Sequence, residues 1–301
     1  MHTAPGKGTC KRGCMRSGKA LAVILGMVVM LATAAGLVIV TVRNASADED
    51  WRRRPSAGDV IEKEDIQAEI AFGREVAARL IGRYRLYEND AVLKYVNLVG
   101  RTLTQNSNRP EIEFHFAVLD TPEINAYAAP GGYVFVTKGA LEKMQDESEL
   151  AGVIAHEIAH ISEKHVVKEL KIQGSDATAT AGLARLIGGT SDAARSAFAQ
   201  AVDKALDVLL KDGYKREDEV QADRTGISYA AISGYDPLGL PRFLERIASI
   251  KAKPTEILDK THPGSAERVQ RLKAAVKDDG METANVKLAK ERFAEMQKKI
   301  K

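Results

Sequence analysis

Leu150-Ala151-Gly152-Val153-Ile154-Ala155-His156-Glu157-Ile158-Ala159-His160-Ile161 is the stretch whose periodicity decides the fold. Advanced by about 100° per residue from Leu150, the side chains of Val153, Ile154, Ile158 and Ile161 make one apolar stripe, and Ala151, Ala155 and Ala159 make a stripe of small residues beside it. A helix apolar on most of its circumference belongs in an interior. His156 and His160 fall about 40° apart at the edge of the stripe and Glu157 falls within it. Folding therefore withdraws three ionisable groups from water together, at a cost of roughly several kcal/mol unless something compensates.

One Zn²⁺ compensates all three. Two imidazoles one helical turn apart can bind a single tetrahedral ion, while the carboxylate beside them holds a water. The bland alternative is an accidental motif, which would favour an exposed helix over an apolar one. A third ligand is offered by Glu217-Asp218-Glu219-Val220-Gln221-Ala222-Asp223. Glu219 and Asp223 lie one turn apart on a helix expected to end at Gly234, a left-handed C-cap position. Glu219 can complete the ligand set, and Asp223 can accept the free ring N–H of a ligating histidine.

These residues, together with Asn125-Ala126-Tyr127-Ala128-Ala129-Pro130-Gly131-Gly132 upstream and Thr261-His262-Pro263 with Arg268 downstream, resemble the HtpX and CAAX-prenyl-protease type of zinc metallopeptidases. The likeness is greatest to the soluble periplasmic BepA-like branch and the mitochondrial OMA-type relatives, and it covers about residues 64 to 275. It implies a gluzincin with a zincin-like fold: one Zn²⁺ per chain on His156, His160 and Glu219, Glu157 as general base, and housekeeping proteolysis in or near a membrane. His165 also fits the family pattern. On a continuous helix it lies about 140° from His160, so it is read as structural.

The expected chemistry is peptide hydrolysis by a zinc-activated water, whose proton Glu157 takes and passes to the leaving amine. The oxyanion needs a further donor, for which His262 and Arg268 are candidates. Two alternatives stay open. His262 caps the metal in a resting form, or both residues are structural, with Ser265 capping a helix from Ala266 and Arg268 in its exposed first turn.

Around this motif the chain reads as α+β, mainly helical, with a small β-sheet beside the metal-binding helix. Helical periodicity runs through Asp65 to Tyr84 and Ala91 to Leu103. Ile112, Phe114, Phe116 and Val118 alternate with Glu113, His115 and Ala117, the pattern of a half-buried strand, and Tyr133 to Thr137 is a second β-rich run. An exposed edge of that sheet could hold an extended peptide; otherwise the strands only roof the core. Asp146 is a capping-box candidate with Glu149, and Asp236-Pro237 reads as a helix start. Gly174 to Gly213 is open between a lid over the cleft, a lipid or partner contact, and an ordinary helical hairpin.

The remaining domain limits are residues 48–63 as linker, 64–275 as the peptidase domain and 276–301 as a C-terminal helical appendage. Residues 1–47 read as a signal peptide or a single-span signal anchor. Lys7, Lys11, Arg12, Arg16 and Lys19 precede an uncharged run of 23 residues, Ala20 to Val42, and Ala45-Ser46-Ala47 offers a cleavage site. Either form places the catalytic domain outside the cytoplasm, in the periplasm or facing it. No later segment reaches spanning length. Cys10 and Cys14 both precede the apolar run, so the exported part has no disulfide. Residues 1–47 hold six Lys/Arg and no acids, which leaves 38 basic against 41 acidic residues; no basic excess remains to neutralise nucleic-acid phosphates.

Two functions follow as expectations. One is a zinc endopeptidase that degrades misfolded or misassembled envelope proteins, its partners being polypeptide substrates and outer-membrane assembly proteins. The other is a chaperone-like envelope binding factor with a structural or latent zinc site.

Overall fold

The computed structural model describes residues 32–33, 36–37, 63–170, 189–250, 261–262, 265–281 and 289–300. The chain divides into two units, Met1–Ala45 and Ser46–Lys301. In the first, two short strands, β1 (Ala32–Thr33) and β2 (Gly36–Leu37), pair antiparallel. The export signal or anchor otherwise lies outside the described residues, as does the linker 48–63 apart from Lys63. Among the described residues no helix is long and apolar enough to cross a membrane.

The second unit is built round the helix α4 (Glu147–Ser162), every residue of which is buried. Its start follows from capping chemistry: the Asp146 carboxylate accepts from the Glu149 N–H at 3.0 Å. Glu149 reaches back one residue further than the expected box, accepting from the Gln145 N–H at 2.9 Å. Before α4 come α1 (Lys63–Tyr84), α2 (Asp90–Thr104) and α3 (Lys138–Lys143). After it come α5 (His165–Glu169), α6 (Asp192–Asp207), α7 (Arg216–Ile232), α8 (Gly239–Ala248), α9 (Ser265–Asp278) and α10 (Lys290–Gln297). As expected, α7 ends at a left-handed Gly234, φ 82°. The Asp236-Pro237 start is displaced: Asp236 accepts from the Leu238 N–H at 2.9 Å and α8 begins only at Gly239.

The sheet has three strands in the order β3-β5-β4, namely β3 (His115–Leu119), β4 (Ala126–Ala129) and β5 (Tyr133–Thr137). β3 runs parallel to β5 and β4 antiparallel to it. β4 was not foreseen as a strand. Pro130, Gly131 and Gly132 turn the chain between β4 and β5, with φ of 72° and 101° at the two glycines. The sheet is covered on both faces, not one. Phe116, Val118, Ala126, Ala128, Val134 and Val136 join the cluster containing α4, whereas Leu119, Tyr127, Ala129 and Phe135 join a second cluster with Phe72, Val76 and Leu80 of α1 and with Val202 and Ala205 of α6.

The helical reading of Gly174 to Gly213 holds for α6, which packs on α1 with Phe198 edge-on to Phe72; residues 171–188 lie outside the described residues. The appendage expected at 276–301 is instead keyed into the main unit. Phe293 and Met296 of α10 are buried in the α4 cluster, and Arg292 pairs with the buried Glu147 at the start of α4.

Candidate metal centre

Two helices make the site by approaching unusually closely. Gly226 of α7 lies against the backbone of α4, where a Cβ would meet the His156 Cα and N at 3.0 Å each. With no side chain between the backbones, the acidic face of α7 reaches the histidines of α4. His156 Nε2 and His160 Nε2 then lie 3.0 Å apart, and Glu219 places a carboxylate oxygen 3.4 Å from His160 Nε2 and the other 3.6 Å from His156 Nε2. On the far side of the His156 ring, Nδ1 lies 3.2 Å from Asp223 Oδ1.

His262 enters from the segment before α9, which is tied down at Thr261: its hydroxyl accepts from Asn125 Nδ2 at 3.2 Å and its carbonyl accepts from the Tyr214 N–H at 3.2 Å. His262 Nδ1 lies 2.9 Å from Glu219 Oε1 and 3.4 Å from His156 Nε2, and its Nε2 lies 3.7 Å from Glu157. Arg268 is not in an exposed first turn. It is 1% exposed and its guanidinium donates to Asp223 at 2.6 Å and lies 2.9 Å from Glu219 Oε2. That ion pair is out of line for a hydrogen bond, so Glu219 Oε2 is left, with Glu157 Oε2 and the Tyr214 hydroxyl, among the buried polar atoms that have no hydrogen-bond partner. Every residue singled out from the sequence thus falls in one buried cluster. The guanidinium and His262 Nδ1 are already engaged with carboxylates, which weakens both as free oxyanion donors.

Sequence reasoning missed two neighbours. The Tyr214 ring stacks on His160 with centroids 3.8 Å apart. His165 returns to the site because the helix breaks before it: Lys164 adopts a left-handed conformation, φ 57°, between α4 and α5. The angular projection that carried His165 away from His160 assumed a continuous helix, whereas the two Nδ1 atoms lie 2.9 Å apart. The one local signal was Ser162-Glu163-Lys164, a polar run ending an apolar helix.

The electrostatics of the cluster favour bound positive charge. Burial pushes the Glu157 carboxyl above its ordinary value, although His262 and His156 pull it down. Burial likewise opposes ionisation of Glu219, yet Arg268 and His262 hold its pKa well below the usual carboxylate range. His160 is driven well below the usual imidazole value by burial. Burial opposes protonation of His262 too, yet the Glu219 carboxylate raises its pKa above the usual imidazole value, so the acidic side chains of the cluster draw positive charge from Arg268, from Arg271 at 3.9 Å from Asp223, and from His262. A divalent cation at the cluster would supply such charge and would also favour the ionised form of Glu157. His156, His160, Glu219 and His262 each offer a ligand atom, and these atoms all lie within 4.8 Å of one another. Ligand atoms bonded at about 2.1 Å round a tetrahedral ion are about 3.4 Å apart, so the donor set fits zinc.

An α+β unit with two histidines on a buried helix and a carboxylate on the helix against it is a zincin-like domain. The description of peptidase family M48 matches residues 91–276, more than half of the chain, and the chain belongs to that family. It is 30% identical over 215 residues to the beta-barrel assembly-enhancing protease of Escherichia coli (strain K12), which covers 69% of this chain and 43% of that protein. It is 27% identical over 206 residues to the metalloprotease YcaL of the same strain, 68% of this chain and 75% of YcaL. The mitochondrial metalloendopeptidase OMA1 of Schizosaccharomyces pombe is 26% identical over 180 residues, 59% of this chain and 51% of that protein. The chain spans less than half the length of the beta-barrel assembly-enhancing proteases it matches.

Proposed function

We propose that this protein is a zinc endopeptidase acting outside the cytoplasm on misfolded or misassembled envelope proteins. The observation that carries the reading is the convergence of His156, His160 and Glu219 beside a buried carboxylate oxygen, Glu157 Oε2, that has no partner of its own. A purely structural site has no use for a general base beside its ligands.

His156, His160 and Glu219 would hold the ion. When bound, zinc supplies Lewis acidity toward a peptide carbonyl and an activated water. Glu157 accepts the proton of the attacking water at its free oxygen and delivers it to the leaving amine. Asp223 and Arg268 fix the other side: the carboxylate orients His156 through Nδ1, and the guanidinium keeps both acidic residues of α7 in place. β4 is an edge strand. All four of its residues are buried, and Ala126 with the preceding Asn125 lines an apolar cavity with His156, Glu157 and Phe243, so an extended peptide admitted to that edge would run past the base. The charged N-terminal flank, apolar run and small-residue cleavage site of residues 1–47 support export. The likeness to beta-barrel assembly-enhancing proteases supports outer-membrane assembly proteins as the substrate class.

One observation favours a second reading. His262 makes a fourth donor beside the other three, and a closed four-ligand set is the mark of a structural or latent site. In this reading the protein binds envelope partners and rarely cleaves. Glu157→Gln distinguishes them. Loss of casein hydrolysis by roughly 100-fold or more at unchanged zinc content supports the peptidase; hydrolysis by the variant equal to that of the parent sinks it.

A further inference from the structure

The ring of His160 has a partner on the side away from the cluster that the peptidase chemistry does not use. His160 Nδ1 faces His165 Nδ1 at 2.9 Å, and His165 Nε2 faces the Gln221 amide oxygen at 3.2 Å. The Gln221 Nε2 donates to Glu163, whose other oxygen accepts from Thr225 Oγ1 at 3.3 Å. We propose that Glu163, Gln221 and His165 form a tautomer lock that holds the His160 proton on Nδ1 and keeps its Nε2 lone pair turned into the metal centre. The role in metal binding rests on the zinc reading above; the lock itself does not.

With His165 neutral, as its burial favours, the chain of bonds admits one consistent set of hydrogens from Glu163 to His160. Carboxylate Glu163 can only accept, so the Gln221 amide must present its NH₂ there and its oxygen to His165. That oxygen can also only accept, so the His165 proton sits on Nε2, where the Asp218 carboxylate, 3.7 Å away, favours it further. His165 Nδ1 is then a bare lone pair, and the 2.9 Å contact is a hydrogen bond only if His160 Nδ1 donates. The reverse arrangement would set the lone pair of His165 Nε2 against the lone pairs of Gln221. It would also put an N–H on His160 Nε2, where a cation needs a lone pair; the hydrogen bond that this N–H could make to His156 Nε2 at 3.0 Å is what the lock must outweigh before an ion is bound.

The consequence is a matched pair of ligands. Asp223 takes the Nδ1 proton of His156 and His165 takes that of His160, so both imidazoles present Nε2 before any ion arrives. His165 is a positioning residue, and the left-handed Lys164 is what swings it into place. Because Gln221 is exposed at the surface end of the chain, the lock can be loosened there without disturbing the core.

The test uses the 301-residue chain and two variants. His165→Phe keeps a ring and removes both nitrogens; Gln221→Met keeps length at an exposed position and remains informative if the first variant misfolds. In chelator-treated protein, ¹⁵N-histidine NMR of the parent is expected to show His160 protonated on Nδ1, with Nε2–H appearing in Gln221→Met. Competition with a chelating dye is expected to show zinc binding roughly 10–100-fold weaker in His165→Phe and weakened in the same direction in Gln221→Met. A parent with Nε2–H at His160, or zinc affinities equal to the parent in both variants, overturns the inference. A parent that shows Nδ1–H yet binds no zinc supports the lock and overturns the metal reading instead.

Discussion

Gly226 lies so close to His156 that a methyl group on its Cα would stand 3.0 Å from the histidine's backbone nitrogen. The ligand geometry depends on this contact, since Glu219 and Asp223 sit on the same helix two turns and one turn before Gly226. Gly226→Ala must therefore push α7 off α4. The expected cost is about 1–3 kcal/mol of stability, with zinc affinity falling by roughly tenfold or more because both carboxylates move together. A variant whose zinc affinity and melting temperature match the parent would show that the glycine is incidental.

Arg268 is the only cation among the described residues that pairs with both Glu219 and Asp223 at 3.0 Å or less. Replacing it with Met leaves Glu219 without a guanidinium and Asp223 with only that of Arg271 at 3.9 Å, a loss on the order of 3–5 kcal/mol. Bound zinc takes over part of the neutralisation at Glu219 and none at Asp223. The melting temperature of Arg268→Met is thus expected to fall sharply in chelator and to recover in part when zinc is added. Equal melting temperatures of parent and variant in chelator would contradict this.

A second buried ion pair holds α1 rather than the site. Glu69 accepts from Arg109 Nη2 at 3.0 Å and from the Gly131 N–H at 3.3 Å, and Arg109 Nη1 donates to the Ile161 carbonyl at 3.3 Å. The pair ties α1 to the turn between β4 and β5 and to the end of α4. Arg109→Met strands the Glu69 carboxylate and is expected to cost about 3–5 kcal/mol in denaturant titration; a change within about 0.5 kcal/mol would refute the assignment.

Alkali should weaken the fold through Tyr235. Burial, reinforced by the nearby Glu147 carboxylate, pushes its phenol up from 10.0 to about 12. Between these values the unfolded chain has lost the proton and the native state keeps it, so stability falls as pH rises, by up to about 1.4 kcal/mol per pH unit for one group. Tyr235→Phe removes that contribution. Its melting temperature is expected to fall less steeply than the parent's between pH 10 and 12, and parallel curves would count against the effect.

Much of this protein is legible locally. The apolar circumference of α4 predicts its burial, Asp146 its first turn and Gly234 the end of α7, because each signal lies within a few residues of what it governs. The acidic pair Glu219 and Asp223 is recognisable at one-turn spacing for the same reason. What the chain could not announce are relationships across long separations. Arg268, a candidate oxyanion donor whose alternative reading is an exposed first-turn residue, turns out to be claimed by two carboxylates more than 40 positions earlier. Ala126–Ala129, four small or aromatic residues, becomes a strand only because β5 lies beside it. Phe293 and Met296 are too few to mark α10 as part of the core until the cluster round α4 receives them.

The sequence by itself determined which side chains gather at the candidate site, since spacing along a helix fixes which groups share a face. Only the tertiary structure decided how those groups are partnered. One left-handed residue at Lys164 and one missing Cβ at Gly226 set the angles and distances between helices, and no periodicity within a single element encodes them.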